Sequence, residues 1–323
     1  MNPAGPPRGV VSLTGGSGFV GGHILRRLLA DGWRVKALTR RLGGPPERGA
    51  VDAGTVTPVL GDLASKPALA ELVTGADAVI HCAGLVAARR AGDFERVNTQ
   101  GTANLLDALR AAGRSLRVIQ ISSLAAREPH LSPYARSKRQ AEDLLKQNAT
   151  DLDWQILRPP VVYGPGDRAT LPLFRQFARG LALRPSGQGR FSMIYVDDLA
   201  AAAVCLLSDT PAPGQTLELD DGTAEGYDWP AVLAAAERQF GRRIRALAVP
   251  QPAQRLAAAL SQAGAAVTGR APLLSQGKVN EISHPDWVCH GKTLGDCISW
   301  RPKVGLDEGF SKTIAWYKAA GWL

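Results

Sequence analysis

The chain has 323 residues, 45% of them hydrophobic and 21% charged, with 38 Lys and Arg against 29 Asp and Glu for a net charge of +9. It is long enough to bury a large core, either as one α/β domain or as a nucleotide domain with a smaller partner. The cations are scattered, and no basic run is interleaved with stacking aromatics, which argues against a nucleic-acid partner; attraction of a phosphorylated cofactor is a more specific use of the charge. Cys82, Cys205, Cys289 and Cys297 lack zinc-site spacing. With no secretory signal, they point to a reduced, cytoplasmic compartment. No apolar run is long enough to span a bilayer.

Residues 1–8 are rich in Pro and Gly and are expected to form a disordered tail. Val10, Val11 and Leu13 then lead into Thr14-Gly15-Gly16-Ser17-Gly18-Phe19-Val20-Gly21, followed by helical spacing at Ile24, Leu25, Leu28 and Leu29. This reads as strand, glycine turn, helix. Gly15 allows a turn with positive φ, Gly18 lets the backbone approach a diphosphate, and Gly21 lets the helix pack closely on the strand. The positive end of the helix then faces the anion. The spacing G-x-x-G-x-x-G departs from the commonest dinucleotide fingerprint, so the reading depends on the rest of the chain.

A second β-rich run at 33–38 ends in Thr39-Arg40-Arg41. An acidic residue here would grip the ribose 2′-hydroxyl of NAD, whereas Arg40 and Arg41 attract the 2′-phosphate of NADP; a solvated loop is the alternative. Runs at 56–60, followed by Gly61-Asp62-Leu63, and at 76–82, followed by Ala83-Gly84, end in small residues. That is the strand edge on which ligands bind in an open parallel sheet. Helical spacing at 67–73 and 94–112 completes an alternation that predicts a doubly wound parallel α/β sheet with right-handed crossovers. Asn98, inside the second of these helices, reads equally as a tolerated surface residue or a functional one.

A fifth strand at 116–121 runs into Ser122-Ser123, and a short loop leads to Pro133-Tyr134-Ala135-Arg136-Ser137-Lys138 at the start of a helix. Tyr134 and Lys138, four apart, share one face. The ammonium is expected to favour phenolate and lower the Tyr134 pKa towards the working range, making it a proton donor or acceptor. On its own a Tyr-x-x-x-Lys pair is common in helices of no special function.

These marks occur together and in order, with His81-Cys82-Ala83-Gly84, Val97-Asn98, the run from Leu157-Arg158-Pro159-Pro160 through Val162-Tyr163-Gly164 to Gly166, and Ile194-Tyr195-Val196-Asp197-Asp198-Leu199-Ala200. The chain resembles the extended short-chain dehydrogenase/reductase family, specifically so through residue 200, which implies a Rossmann sheet with a smaller C-terminal substrate-binding domain. The resemblance implies that Gly15, Gly18 and Gly21, with the backbone of Phe19 and Val20, line a cofactor diphosphate. Asp62 and Leu63 would flank the adenine, Ala83 and Gly84 would run under the diphosphate and ribose, and Pro160 and Val162 would contact the nicotinamide carboxamide side. Lys138 would hold the nicotinamide ribose, Tyr134 would pass a proton, and Asn98 would bulge its helix and join a water-linked relay. In many members the catalytic Ser or Thr is the third residue after the fifth strand. Here that place is Leu124, so the role falls on Ser123 or Ser122, with Ser123 preferred. The segment from Ser123 to Tyr134 is also shorter than in the nucleotide-sugar enzymes.

The expected organisation is a dinucleotide-binding domain at 9–166, rejoined by 194–220, with 167–323 mainly substrate-binding. Helices are expected at 171–180, 227–240, 253–264 and 306–320. Asp197 and Asp198 open a helix, where capping is the expected role. Arg175, Arg179, Arg184, Arg190, Arg242 and Arg243 offer contacts to a substrate diphosphate, or simple solvent exposure. The Ala-rich segment 253–267 is expected to face solvent or act as a lid rather than lie on a membrane. Residues 278–289, with His284, Asp286 and Trp287, are expected to close over the pocket. His81-Cys82 and Cys289-His290 lack further ligands, so no metal is expected.

Leu124-Ala125-Ala126 supplies no acid or base for elimination of water, against a dehydratase, and Arg40 speaks against an epimerase that retains NAD. The expected function is therefore an NADP(H)-dependent ketone reductase or secondary alcohol dehydrogenase acting on a hydrophobic or cyclic small molecule. An NAD-dependent sugar epimerase and a non-catalytic dinucleotide-binding assembly subunit stay open as alternatives, and a homodimer is compatible with either.

Overall fold

A computed structural model describes residues 8–41, 54–148, 152–209, 211–268, 271–272 and 274–323. The expected tail at 1–8 lies outside them except for Arg8. In chain order the first half is β1 (Val10–Thr14), α1 (Phe19–Ala30), β2 (Arg34–Thr39), β3 (Val56–Leu60), α2 (Lys66–Val73), β4 (Ala78–His81), α3 (Ala91–Phe94), a π-helical turn (Glu95–Gln100), α4 (Gly101–Ala111), β5 (Arg117–Ile121), α5 (Pro133–Asn148) and β6 (Asp153–Arg158). There follow β7 (Val161–Tyr163), α6 (Leu171–Ala178), β8 (Leu181–Pro185), β9 (Arg190–Phe191), β10 (Met193–Tyr195), α7 (Val196–Cys205) and β11 (Gln215–Glu218). The chain closes with α8 (Trp229–Phe240), β12 (Arg245–Val249), α9 (Gln251–Thr268), α10 (Gln276–Ser283), β13 (Asp286–Trp287), α11 (Leu294–Cys297) and α12 (Leu306–Ala319).

Seven strands form one sheet in the order β3-β2-β1-β4-β5-β6-β11, and every pairing is parallel. Parallel strands need both faces covered, and the sequence supplies two apolar faces rather than one. In β5, Ile119 enters a core with Ile24, Leu28 and Leu199, from α1 and α7. Its neighbour Val118 enters the opposite core with Leu69, Leu105 and Leu145, from α2, α4 and α5. The strand order reverses between β1 and β4, and a crevice at the carboxyl ends of those strands is where such sheets bind ligands.

Beyond β6 the chain builds a second layer of short parallel pairs, β7 with β10, β8 with β12 and β9 with β13. A third core, of Tyr163, Phe174, Phe177, Phe310 and Tyr317, fills it. α8 begins where Asp228 accepts from the Ala231 N–H at 2.8 Å and ends at Gly241, whose φ of 61° suits a residue without Cβ. Within residues 196–218, α7 packs on α1 and β11 forms the edge of the large sheet beside β6. Capping is not what Asp197 and Asp198 do, however. Asp197 lies 2.5 Å from His23 Nδ1 on α1, while Asp198 accepts the backbone N–H groups of Lys303 and Val304 at 3.0 and 2.8 Å. Both carboxylates tie α7 to distant chain instead of serving its own first turn. Among the described residues no helix is long and apolar enough to cross a membrane.

Candidate active site

The glycine turn sits at the reversal of strand order, directly after β1. Gly15 has φ of 79°, and a Cβ there would lie 2.6 Å from the Ala83 nitrogen in the loop after β4. A Cβ on Gly21 would lie 2.0 Å from the Gly15 carbonyl oxygen, so this glycine fits the helix against the turn itself rather than against the strand. Gly18 caps α1 with no side-chain hydrogen bond, which leaves the first N–H groups of the helix without a side-chain partner. Backbone brought this close, at the positive end of a helix, is a fit for the diphosphate of a dinucleotide. Below the turn, Thr14 Oγ1 accepts from the Ala83 N–H at 3.1 Å and pairs with His81 Nδ1 at 2.7 Å, while His81 Nε2 meets Thr102 at 3.0 Å. Burial, with help from the Lys138 charge, lowers the His81 pKa to about 3, so the ring is a neutral strut.

Arg40 and Arg41 are exposed at the carboxyl end of β2, beside the turn. Asp62 follows β3 and accepts from the Ala64 N–H at 2.9 Å. The Leu63 side chain is buried; a Cβ on Gly101 would lie 2.9 Å from Leu63 Cβ. Pro160 and Val162 are partly buried at and just before β7.

Ser132 accepts from the Ala135 N–H at 2.9 Å and Pro133 opens the first turn, which fixes where α5 starts. Tyr134 and Lys138 then project from one face. Lys138 is buried and donates through Nζ to the Ile121 carbonyl at 2.7 Å, at the end of β5. Ser123, two residues on, accepts from the Ala125 N–H at 3.2 Å and lies near enough to the Tyr134 phenol to pull its pKa down. Ser122 cannot share that role, because its hydroxyl donates to Glu142 Oε1 at 2.6 Å inside the protein. The two serines left open by the sequence thus point to different partners.

The expected lowering of the Tyr134 pKa does not occur in the protein alone. Tyr134 keeps part of its surface open, but the enclosing protein pushes the phenol up to about 12; the nearby Ser123 hydroxyl only partly counters this, and Glu281 and Cys82 add to it. Lys138 is itself held below its ordinary value, chiefly by burial. Tyr134 is therefore a phenol, not a phenolate, near neutral pH.

Asn98 lies in the π-helical turn, which tilts its side chain inward. Its Oδ1 accepts from the Leu85 N–H at 2.7 Å, and its Nδ2 donates to the Leu85 carbonyl and Ser137 Oγ at 3.0 and 2.9 Å. The amide clamps the loop after β4 to α5, and a Cβ on Gly84 would lie 3.1 Å from Asn98 Oδ1. Sequence reading passed over two further supports. Glu142 stands one more turn-pair along α5, at the spacing Tyr134, Lys138, Glu142, and binds Arg158, Ser122 and Lys146. Arg127, just past Ser123, donates to the Val288 and Asp286 carbonyls and stacks over Trp287 at 5.8 Å. That places 286–288 against the turn that follows Ser123. Among the described residues no group of three His, Cys, Asp or Glu gathers as metal ligands.

A dinucleotide cradle next to a buried Lys and a partly exposed Tyr and Ser belongs to the nicotinamide-dependent oxidoreductases, and the comparisons with known proteins narrow this. Residues 11–218 match the NAD dependent epimerase/dehydratase family, and the chain belongs to it, within the extended short-chain dehydrogenase/reductase group. A protein named ceramide reductase from Caulobacter vibrioides is 41% identical over 317 residues, 98% of this chain and 96% of the relative. A 4-hydroxy-2-methyl-3-oxo-4-farnesyl-3,4-dihydroquinoline-1-oxide ketoreductase from Stigmatella aurantiaca is 29% identical, covering 87% of this chain and 93% of its own. In fold, the chain is similar to UDP-glucose 4-epimerase from Thermotoga maritima, with TM-score 0.74 at 18% identity over 96% of this chain and 99% of that one.

Proposed function

We propose that this protein is an NADPH-dependent reductase that converts a ketone on a ceramide-type lipid, a long-chain N-acylated amino alcohol, to a secondary alcohol. The observation that carries the direction is the 41% identity over 98% of the chain with a protein named as a reductase; Tyr134, a phenol near neutral pH, would then give the proton that a carbonyl oxygen must receive. The substrate class rests on the 41% identity with the ceramide reductase. The preference for NADP rests on Arg40 and Arg41, exposed beside the turn where β2 ends, a place where a carboxylate would favour NAD.

In this reading Gly15, Gly18 and Gly21 hold the cofactor diphosphate against the α1 N-terminus, and Asp62, Leu63, Ala83, Gly84, Pro160 and Val162 line the rest of its path. When bound, the cofactor supplies the hydride. Ser123 orients the carbonyl oxygen through its hydroxyl, and Tyr134 donates the proton to that oxygen. Lys138 places a positive charge where oxyanion character develops and holds the ribose. Asn98 positions α5 through Ser137. Residues 9–166 with 194–220 serve the cofactor, and the layer built from 167–323 shapes the substrate side. Four free cysteines fit a reducing compartment such as the cytoplasm.

The test is to incubate the purified protein with a keto form of an N-acylated long-chain base and NADPH, then with NADH, and follow the lipid by mass spectrometry. Gain of two hydrogens, faster with NADPH, is the expected result. Failure on the lipid, together with interconversion of a nucleotide sugar without added cofactor, would replace this reading by the epimerase.

A further inference from the structure

Two stretches of the chain are rich in cations and hold no acid of their own, although Arg238 pairs with Asp307, Lys278 with Glu281 and Arg190 with Asp228 from outside them. Residues 168–196 contain five Arg, and residues 238–280 contain six Arg and one Lys; neither stretch holds an Asp or Glu. These twelve cations exceed the +9 of the whole chain, so the remainder is net acidic. Folding joins the two stretches, because β8 from the first pairs with β12 from the second. In that pairing Leu183 stands opposite Leu247, and both are exposed, by 47% and 40%.

β12 runs directly into α9, which buries the small Ala258 and Ala265 and leaves its larger apolar side chains outside. Beside those alanines lie Gln254, which donates to the Val249 carbonyl at 2.8 Å, and Ser261, which accepts from the Leu274 N–H at 3.2 Å. The outer side of α9 carries Ala253, Leu256, Ala257, Leu260 and Ala263, all exposed, with Leu256 at 64% and Leu260 at 66%. A helix whose outer side faced only water would be polar there. Arg255 is exposed on the helix itself, and Arg242, Arg243 and Arg245 are exposed just ahead of it.

We propose that α9 and the adjoining edge of β8 and β12 dock on an anionic lipid bilayer, with Leu256 and Leu260 inserted at the level of the headgroups and the arginines paired with lipid phosphates. Leucines four residues apart on one helical face, flanked by unopposed cations, match the two attractions that hold an interfacial helix. A second copy of the chain fits poorly, since an isologous contact here would press like charges together. The inference goes beyond the lipid-ketone reading and does not need it, because docking is measured without substrate or cofactor.

The experiment is co-sedimentation with phosphatidylcholine vesicles containing about 30% phosphatidylglycerol, and with phosphatidylcholine alone. The expected result is binding to the anionic vesicles only, weakened several-fold by salt at about 0.5 M. The Leu256→Glu/Leu260→Glu variant should bind at least about tenfold more weakly. A second variant, Arg245→Ser/Arg255→Ser, should also weaken binding, and both should keep the unfolding temperature and the turnover of a short, water-soluble ketone. Wild-type protein left in the supernatant, or variants that sediment like wild type, would overturn the proposal. So would a lipid-free dimer that Leu260→Glu dissociates while vesicles capture nothing, which would assign the face to a second copy.

Discussion

Glu142 receives Arg158 in a two-pronged ion pair, Nη2 to Oε2 at 2.6 Å and Nε to Oε1 at 2.9 Å, with the carboxylate fully buried. The pair joins the helix that bears Tyr134 and Lys138 to the end of β6, and Ser122 adds the end of β5. Burial raises the Glu142 pKa, but the Arg158 bond and charge, Ser122 and Lys146 outweigh it and hold the carboxyl below its ordinary value. A depressed pKa stabilises the fold above the unfolded value, about 4.3, and that stability is lost as pH falls through the lower native value. Glu142→Gln, which strands a largely buried guanidinium, should cost about 3–5 kcal/mol in urea unfolding. The variant should also lose less further stability than wild type on acidification below about pH 4.

The two serines after β5 should separate cleanly. Ser123→Ala should lower kcat by roughly 10²–10³ with little change in stability, since its hydroxyl stands beside the Tyr134 phenol. Ser122→Ala should do the reverse, costing about 1–3 kcal/mol by leaving Glu142 short of a donor while turnover stays within about threefold. Equal kinetic losses from both would show that the strand end is a single structural unit.

Tyr134→Phe should reduce turnover by at least about 10³ while NADPH affinity stays within about twofold. Its pKa, raised to about 12, has a second consequence. The native protein keeps a proton that the unfolded chain releases near pH 10, so this stability is complete below about pH 10 and fades as pH rises towards the native value. Tyr134→Phe should therefore lose less stability than wild type across that alkaline interval, as measured by thermal melts at stepped pH.

Arg40→Ala with Arg41→Ala should weaken NADPH binding about tenfold or more, and leave NADH within about twofold, in a fluorescence titration. Wild-type protein that binds both cofactors equally would end the NADP assignment.

The sheet was legible because buried parallel strands leave apolar runs punctuated by glycine, and the runs at 56–60 and 116–121 fall within a residue of β3 and β5. The glycine turn was legible for the same local reason: Gly15 and Gly21 are demanded by backbone spacing that only the chain immediately around them sets. What could not be read were long-range bonds. Asp197 and Asp198 looked like caps because helix starts attract carboxylates, yet their partners lie 174 residues back at His23 and 106 residues on at Val304. The Tyr134 pKa went wrong for a similar reason, since the spacing shows Lys138 but not the protein mass enclosing the phenol. Glu142 did leave a signal, the third polar position at intervals of four on one helix, which gains meaning only once Arg158 is seen opposite it.

The position of β11 constrains how this chain can be made. Its partner β6 ends at Arg158, but the strand that covers the free edge of β6 begins only at Gln215. During synthesis the nucleotide half emerges with that edge open until the intervening loops, helices and short strands have all followed. An uncovered strand edge is a template for pairing with a neighbouring nascent chain. Truncations ending between 160 and 214 should therefore aggregate, and full-length protein should gain most from a chaperone that binds late in translation.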